Sequence, residues 1–371
     1  MADAFRHWAG ARLQESVFAD GPHPVPDARS ERTALTALNL AGRAASDDEC
    51  LVILLSGGAS AMMALAAPGL TLDDKIATVR AMLSRGFEIR AMNAVRKHLS
   101  GVKGGWLAAR TRHCRTLAIS DVIGPAEDDP SVIGSGPGVA DASTYADAIA
   151  AVRAGGVWQD LPPSVREHLA RGRRGDVPET PKPGDPRLAG AQAFVIGSRR
   201  DAMEGARAAA ERLGYQSRVI DEPTLGAARA AGPAVVARAV ATVGTREVRA
   251  CVISSGETTV DVRGGGRGGR NQELALAALP ALDAVRRPVV LASFGTDGVD
   301  GPTDAAGAIA DDGSLRRARE LGLAAPDAVL DANDSYPFFD RLGDLIRTGP
   351  TGTNVGDLQI VLLRAGTASA S

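Results

Sequence analysis

Five glycines and three arginines share one short loop, RGGGRGGR at residues 263–270. Gly264, Gly266 and Gly269 match the G-x-G-x-x-G pattern, in which backbone N–H groups approach a pyrophosphate at the start of a helix. Guanidinium groups bind phosphate or carboxylate oxygens through paired N–H donors, and a pyrophosphate held on bare backbone does not need them. The loop therefore favours a polyphosphate or acid site over a dinucleotide site, with Arg270 as a candidate for binding the anion.

Aspartates cluster in the segment that follows the apolar run at 288–294. Asp297, Asp300 and Asp304 lie within eight residues of one another and are separated by glycines. Carboxylates this close repel one another unless a cation or an arginine compensates them, and oxygen ligands suit Mg²⁺. We therefore predict Asp297 and Asp300 as metal ligands, with Asp-Gly turns in a solvated loop as the alternative interpretation.

Three further segments place a carboxylate, glycines or a lysine where ligands bind in α/β proteins. Open α/β sheets bind ligands at the carboxyl ends of their strands, and Asp121 follows the apolar run TLAIS. Ser56, Gly57 and Gly58 follow another run, LVILL, where backbone N–H groups can approach an anion. Lys97, one of only four lysines, precedes a second glycine pair and suits a phosphate or carboxylate partner. A tight turn, a capping aspartate and a solvated helix face are the alternative interpretations.

The pattern of apolar runs predicts the elements that position these residues. Buried strands are predicted at 51–55, 116–120, 193–197, 250–254, 288–294 and 358–363. Runs that are apolar on both faces are typical of a parallel sheet covered by helices. The stretches between them are alanine-rich and amphipathic, and Ser-Gly-Glu at 255–257 is interpreted as a turn before a strand, TTVDV. We predict an α/β fold of two domains, each a mostly parallel sheet flanked by helices, at 1–185 and 186–371. The proline-rich segment 179–190 lies between the two.

Composition excludes several classes of protein. The 371 residues carry a formal net charge of -2, so the charge balance favours neither nucleic acid nor an anionic membrane as a partner. Three widely separated cysteines argue against a disulfide framework and favour a reducing cytoplasm. No apolar stretch reaches the roughly 18–20 residues of a membrane span, and the P-loop and zinc-protease patterns are absent. We expect a cytoplasmic protein that acts on a small molecule.

Several long motifs, in one order from about residue 20 to 363, together resemble the type-2 glycerate kinases, also called glycerate 2-kinases. The motifs are LLSGGASAMM (54–63), MNAVRKHLSGVKGG (92–105), SSGETTVDVRGGGRGGRNQE (254–273), GTDGVDGPTDAAGAI (295–309) and TGPTGTNVGD (348–357). The resemblance implies a Rossmann-like N-terminal domain, a C-terminal domain containing the MOFRL region at about 250–363, and an active site in the interdomain cleft. It also implies transfer of the ATP γ-phosphoryl group to the 2-hydroxyl of D-glycerate, with Mg²⁺ or another divalent cation.

This resemblance suggests a role for each candidate residue. Arg270 and Lys97 would neutralise the transferred phosphoryl group or bind the glycerate carboxylate. Asp121 would accept the hydroxyl proton and Asp297 would bind the metal, although these two roles are interchangeable. The residues predicted to bind the cofactor ATP are Ser56, Gly57, Gly58, Ser60, Glu257, Gly266, Arg267, Gly269, Asn271, Thr353 and Asn354.

The sequence departs from the family pattern at its N-terminal end. Family members carry a strand and a Gly-Lys-Ala-Ala turn whose lysine lies at the active site, whereas the first lysine here is Lys75. The N-terminal domain is therefore expected to be truncated, either because the start is set too far downstream or because this form has lost the segment. Two other functions stay open: an NAD(P)-dependent reductase of hydroxypyruvate or another 2-hydroxy acid, and a ligand-binding relative without turnover. The oligomeric state is open as well, with a homodimer as one arrangement.

Overall fold

The computed structural model describes residues 21–22, 25–124, 127, 129–243 and 249–364. The chain divides into two compact units, one of residues 1–122 and 128–196, the other of residues 123–127 and 197–371. The proline-rich segment 179–190 lies in the first unit, so the domain boundary predicted after residue 185 falls one strand before the change of unit. No helix in the described ranges is long and apolar enough to cross a membrane.

The first unit is built on a three-stranded sheet. Its strands are β1 (Cys50–Leu55), β2 (His113–Ile119) and β3 (Ala191–Gly197). Its helices are α1 (Ala28–Ser46), α2 (Ala59–Met62), α3 (Leu72–Leu83), α4 (Ile89–His98), α5 (Tyr145–Ala154) and α6 (Pro163–Arg174). Short 3-10 turns lie at Ala108–Arg110, Ile133–Ser135 and Pro186–Leu188. The strand order is β1-β2-β3, and β1 pairs with β2 in parallel, as predicted.

Strand β1 is buried on one face only. Leu51, Ile53 and Leu55 are buried in a core that includes side chains of α1, whereas Val52 and Leu54 are 49% and 50% exposed. The sequence predicted burial of both faces because every side chain in this run is apolar. The strand is confirmed, but the described residues leave its second face half exposed.

The second unit contains a six-stranded sheet. Its strands are β4 (Gln216–Ala227), β5 (Arg249–Thr259), β6 (Val289–Gly295), β7 (Gly307–Asp311), β8 (Leu345–Ile346) and β9 (Asp357–Arg364). Its helices are α7 (Arg199–Arg212), α8 (Ala228–Thr242), α9 (Arg270–Ala284), α10 (Ser314–Glu320), α11 (Pro326–Ala332) and α12 (Ser335–Leu342). The main core packs α8 and α9 against this sheet, because both helices are rich in alanine, valine and leucine.

The six strands lie in the order β4-β5-β9-β6-β7-β8 and form a mixed sheet. β4 and β5 are parallel, whereas β9 is antiparallel to both of its neighbours, β5 and β6. β7 is antiparallel to β6 and β8. The α/β class is confirmed, but the expectation of a mostly parallel second sheet is wrong. The crossovers through α8 and α9 make β4, β5 and β6 run in one direction. The last strand, β9, is apolar like the others and inserts between β5 and β6 in the opposite direction.

Ser-Gly-Glu at 255–257 lies inside strand β5 and does not form a turn. A Cβ on Gly256 would overlap the backbone of Thr224 in the neighbouring strand β4, where the pairing register shifts. The glycine therefore permits close approach of two strands, which is a common reason for glycine inside a sheet. The predicted turn and the separate strand TTVDV are both wrong, because β5 continues to Thr259.

A buried lysine in the first unit leads to a prediction about stability. The Nζ atom of Lys75 donates to the carbonyl of Leu65 at 2.8 Å, and burial, helped by the charge of Arg96, lowers the pKa of Lys75 from 10.5 to about 7. At a pH between these two pKa values, the Lys75 amine is protonated in the unfolded chain and neutral in the folded chain. The stability of the wild type should therefore rise with pH, relative to Lys75→Met, by about 1.4 kcal/mol per pH unit.

Urea unfolding of both proteins between pH 6.5 and 9.5 checks this prediction. The Lys182→Met variant is the control, because Lys182 is partly exposed and pairs with Glu179 on the surface. Parallel pH profiles for the wild type and Lys75→Met would show that the Lys75 amine titrates alike in the folded and unfolded chains.

Candidate active site

Arg270 is the first residue of helix α9, and two carboxylates hold its guanidinium group. Its Nε and Nη2 atoms donate to the two oxygens of Asp357 at 2.6 and 2.9 Å, and Nη1 donates to Glu257 at 2.7 Å. Glu257 lies on β5 and Asp357 begins β9, so two paired strands fix the orientation of the arginine. The Arg270 side chain is 34% exposed, so a ligand can reach the N–H donors that these carboxylates do not use.

Burial and charge act in opposite directions on this ion pair. Burial would lower the pKa of Arg270, but the hydrogen bonds and charges of Asp357 and Glu257 outweigh it, and the pKa is raised. Burial raises the pKa of Asp357, whose side chain is 1% exposed, although Arg270 opposes the shift. The nearby charge of Asp297 raises the pKa of Asp357 as well. The cluster holds more carboxylates than cations, an imbalance that a bound cation or a proton would relieve.

Asp300 caps helix α9. Its Oδ1 accepts the backbone N–H of Asn271 at 3.0 Å, and its Oδ2 accepts the backbone N–H and the Nε2–H of Gln272 at 2.9 and 3.0 Å. Burial raises the pKa of Asp300 to about 6 against these hydrogen bonds, and the charge of Asp357 adds to the rise. Because both oxygens are occupied, the geometry favours a helix cap over the metal ligand expected from the sequence.

Asp297 lies in the turn that follows β6. Its Oδ1 accepts the backbone N–H of Val299 at 3.0 Å, and its charge acts on Asp357. The described residues contain no group of three or more His, Cys, Asp or Glu side chains arranged to hold one metal ion. Mg²⁺ is commonly bound by one or two carboxylates together with substrate phosphates, and of the two predicted ligands Asp297 fits such a site better.

The glycine-rich loop packs against the turn at 332–334, which follows helix α11. Gly264, Gly266 and Arg267 donate their backbone N–H groups to acceptors in this turn at 2.9, 2.9 and 2.8 Å. A Cβ on Gly264 or Gly266 would overlap the backbone of Ala332, which explains both glycines. The N–H groups expected to cradle phosphate at these positions therefore bind the protein itself, and the geometry argues against a phosphate cradle there.

The remaining residues of this loop also have local partners. The guanidinium group of Arg267 lies 4.3 Å from the ring centre of Tyr336, and its Nε donates to the carbonyl of Pro302 at 3.2 Å. Gly269 is the N-cap of α9, where a Cβ would overlap Asp300. Asn271 is buried, and its Oδ1 accepts the hydroxyl of Ser293 at 2.6 Å. These contacts fix the start of α9, the helix that begins with Arg270.

In the first unit, Ser56, Gly57 and Gly58 form the turn between β1 and α2. Gly58 has a φ of 79°, a conformation that favours glycine. Asp121 follows β2, and a Cβ on Gly57 would overlap its Oδ2 atom. Because β1 and β2 are parallel neighbours, their carboxyl ends bring the turn and Asp121 together.

The backbone N–H groups of this turn are available to a ligand. Within the ranges that the structure describes, neither Gly57 nor Gly58 donates its N–H to a protein acceptor. Gly57 lies against the carboxylate of Asp121, so one small region offers both anion-binding groups and a base.

Lys97 is buried at 6% exposure, and its Nζ lies 3.3 Å from Oδ1 of Asp141. The same carboxylate accepts the hydroxyls of Ser143 and Thr180 at 2.7 and 3.0 Å. Burial acts to raise the pKa of Asp141, but Lys97 and Ser143 outweigh it, and the pKa lies below its usual range. This ion pair favours a structural role for Lys97, so we do not assign it to catalysis.

Three other predicted binding residues shape turns. The hydroxyls of Ser60 and Ser135 lie 2.9 Å apart. Asn354 accepts the backbone N–H of Gly356 at 3.0 Å, and the carbonyl of Thr353 accepts the hydroxyl of Thr351 at 3.2 Å. The last two residues lie in the loop that leads into Asp357, and their contacts set the direction in which β9 begins.

Sequence reasoning missed two residues of this site, Asp357 and Asn333. Asp357 directly precedes the apolar run that forms β9, so a carboxylate at the start of a predicted strand was a signal available in the sequence. Asn333 had no such signal, because its importance depends on the glycine-rich loop, about 70 residues earlier, that packs against it.

The fold and these sites define an α/β protein with an arginine–carboxylate site in one unit and a glycine turn beside an aspartate in the other. Residues 5–170 match a domain of unknown function, DUF4147, and residues 250–357 match the MOFRL family. The chain is 38% identical over 359 residues to glycerate 2-kinase from Pyrococcus horikoshii, with 95% of this chain and 79% of the relative covered. It is also 38% identical over 352 residues to D-glycerate 2-kinase from Thermotoga maritima, with 92% and 78% covered.

A solved structure and a further relative extend the comparison. The crystal structure of glycerate kinase from Thermotoga maritima superimposes with a TM-score of 0.83 at 35% identity, covering 98% of this chain and 88% of that one. A relative from Agrobacterium vitis, provisionally named a hydroxypyruvate reductase, is 40% identical over 354 residues, with 93% and 76% covered. The chain belongs to the glycerate kinase family.

Proposed function

We propose that this protein transfers the γ-phosphoryl group of ATP to the 2-hydroxyl of D-glycerate and produces 2-phosphoglycerate. The observation that carries the proposal is the match of more than nine-tenths of the chain to two relatives, from an archaeon and a bacterium, that are named glycerate 2-kinases. The arrangement of Arg270 supports it, because phosphoryl transfer depends on positioning and on charge stabilisation.

Arg270 is the group proposed to stabilise the transferred phosphoryl. Asp357 holds one side of the guanidinium through two hydrogen bonds, and the exposed Glu257 occupies part of the other side. A phosphoryl oxygen can bind the remaining N–H donors, or displace Glu257, without moving the buried pair. Donors fixed before the reaction stabilise developing charge without reorganisation.

Asp121 is the residue proposed to accept the proton of the attacking hydroxyl. It lies at the carboxyl end of β2, against a turn whose two glycine N–H groups can bind anionic oxygens. A carboxylate base and anion-binding donors side by side suit a hydroxy acid, which carries both a hydroxyl and a carboxylate.

The residues of the second unit fit a divalent cation. The cluster around Arg270 has an excess of carboxylates, and Asp297 is the one proposed to bind Mg²⁺. Bound Mg²⁺ supplies charge neutralisation across the nucleotide phosphates. The chain's own contribution is to hold Asp297 through the backbone N–H of Val299.

The test is an assay of the purified chain with ATP, Mg²⁺ and D-glycerate, in which enolase converts 2-phosphoglycerate to phosphoenolpyruvate. Signal that needs no phosphoglycerate mutase supports 2-phosphorylation, and signal only with added mutase indicates the 3-phosphate. NADH oxidation with hydroxypyruvate and no ATP requirement would instead favour a reductase, the name carried by the Agrobacterium vitis relative. Nucleotide or glycerate binding without either product would indicate a relative without turnover.

The close contact between Gly57 and Asp121 yields a second prediction. The carboxylate ends a flexible side chain, so Gly57→Ala should rotate Asp121 away and leave the fold intact. Displacement of a catalytic base by about 1 Å slows the reaction roughly 100-fold, and we expect kcat to fall to that extent. Gly42→Ala is the matched control, because a Cβ there meets no atom within 4 Å. Comparable kcat values for both variants would show that the contact does not matter to the reaction.

A further inference from the structure

Asn333 uses every hydrogen-bonding position of its side chain amide. Its Oδ1 accepts the backbone N–H groups of Arg263 and Gly264 at 2.7 and 2.9 Å. Its Nδ2 donates to the carbonyl of Asp261 at 3.1 Å and to the carboxylate of Glu273 at 3.1 Å. An amide offers two donors and two acceptor positions, and all four have partners here. The side chain is buried, so none of these bonds is exchanged freely with water.

These four bonds hold both ends of the glycine-rich loop. Asp261, Arg263 and Gly264 lie where the chain leaves β5, and Glu273 lies in the first turn of α9, three residues after Arg270. Between the two ends the loop has four further glycines, which have more backbone freedom than any other residue. One amide therefore limits the freedom of the segment that delivers Arg270 to Asp357 and Glu257.

The backbone conformation at this position also favours asparagine over most residues. Asn333 ends α11 with φ 52° and ψ 40°, a left-handed conformation that asparagine adopts more readily than most residues. Aspartate has the same shape but would place an anion against the Asp261 carbonyl and the buried Glu273 carboxylate. Glycine would accept the backbone conformation but would lose all four hydrogen bonds.

We infer that Asn333 is a positioning residue for Arg270: by joining the strand end at 261–264 to Glu273 it fixes the first turn of α9. This inference rests on the proposed function, in which Arg270 stabilises the transferred phosphoryl group. A residue that acts in this way should affect kcat more than KM, because Arg270 acts chiefly in the transition state.

The test uses four variants: Asn333→Asp, Asn333→Gly, Glu273→Gln and the double variant Asn333→Asp with Glu273→Gln. The first should lower kcat by about 100-fold with KM for D-glycerate changed less than about threefold, as expected for a misplaced catalytic group. In the double variant the amide at position 273 donates to the carboxylate at position 333. That reversed pair should restore kcat by about tenfold, the value of one hydrogen bond to a charged group.

Two further measurements make the outcome decisive. Asn39→Asp, the same chemical change at an exposed position of α1, should leave kcat unchanged. Asn333→Gly should raise hydrogen–deuterium exchange in residues 263–270, which reports the loop directly. Folded Asn333 variants with wild-type kcat and wild-type exchange, or a double variant no more active than Asn333→Asp, would overturn the inference. A wild-type chain without kinase activity would contradict the proposed function instead. Hydrogen–deuterium exchange in residues 263–270 would still decide whether Asn333 fixes the loop.

Discussion

Replacement of Arg270 by alanine is expected to lower kcat for phosphoryl transfer by about 1,000-fold or more, the usual contribution of an arginine that stabilises the transferred group. Lysine at this position should recover little of the loss. It keeps the charge but lacks the planar group that binds both oxygens of Asp357. The measurement is kcat in the enolase-coupled assay, with circular dichroism to confirm folding.

Removal of Arg270 alone also leaves the buried Asp357 without its cation, which is destabilising. The double variant Arg270→Ala with Asp357→Asn removes both charges, and it should fold with a kcat as low as that of Arg270→Ala. Arg263→Ala is the matched control, because Arg263 lies in the same loop and its exposed guanidinium pairs with the exposed Asp261. If the folded double variant turned over within tenfold of the wild type, Arg270 would have no part in the chemistry.

The predicted strands show what periodicity can establish. All six apolar runs form strands, and the family recognised from ordered motifs is confirmed by relatives that match most of the chain. The direction of β9 was not predictable from its sequence. An apolar run is compatible with a buried strand of either direction, and only the pairing with β5 and β6 decides between them.

The glycine motifs show where sequence reasoning fails for a physical reason. A glycine that lets a ligand approach the backbone and a glycine that lets another chain segment approach it look alike in the sequence. In the first unit, Gly104 and Gly105 donate their N–H groups to the carbonyls of Ser135 and Gly136 at 3.0 and 2.8 Å. Two glycine-containing segments thus bind each other, as the loop at 263–269 binds the turn at 332–334.

For charged residues too, the sequence does not distinguish a partner in a ligand from a partner within the protein. Lys97 and Asp300 were chosen because a scarce lysine or a clustered aspartate suits a ligand, yet each has a buried protein partner. Arg270 also has a buried partner, Asp357, but its own side chain is 34% exposed and keeps N–H donors that its partners do not use. Exposure of the charged group, more than residue type, separates Arg270 from Lys97 and Asp300, which are both buried.

Replacement of Asp121 by asparagine is expected to lower kcat by about 1,000-fold, within the range for loss of a general base. Asparagine keeps the shape of the side chain beside Gly57 but cannot take up the hydroxyl proton. The unfolding midpoint in urea should change little. Asp129→Asn is the matched control, because Asp129 lies in the same loop and its Oδ1 accepts the local backbone N–H of Ser131 at 2.9 Å.

A double-mutant cycle decides whether Asp121 and Gly57 act as one unit. If Gly57→Ala slows the reaction only by moving Asp121, it should have no further effect in the Asp121→Asn background, because the group it displaces has already lost its function. If both effects multiply, Gly57 contributes through its own N–H group, which the structure leaves available beside the carboxylate. Asp121→Asn with wild-type kcat would remove the base from the mechanism, and proton transfer directly to the phosphoryl oxygens would then account for the reaction.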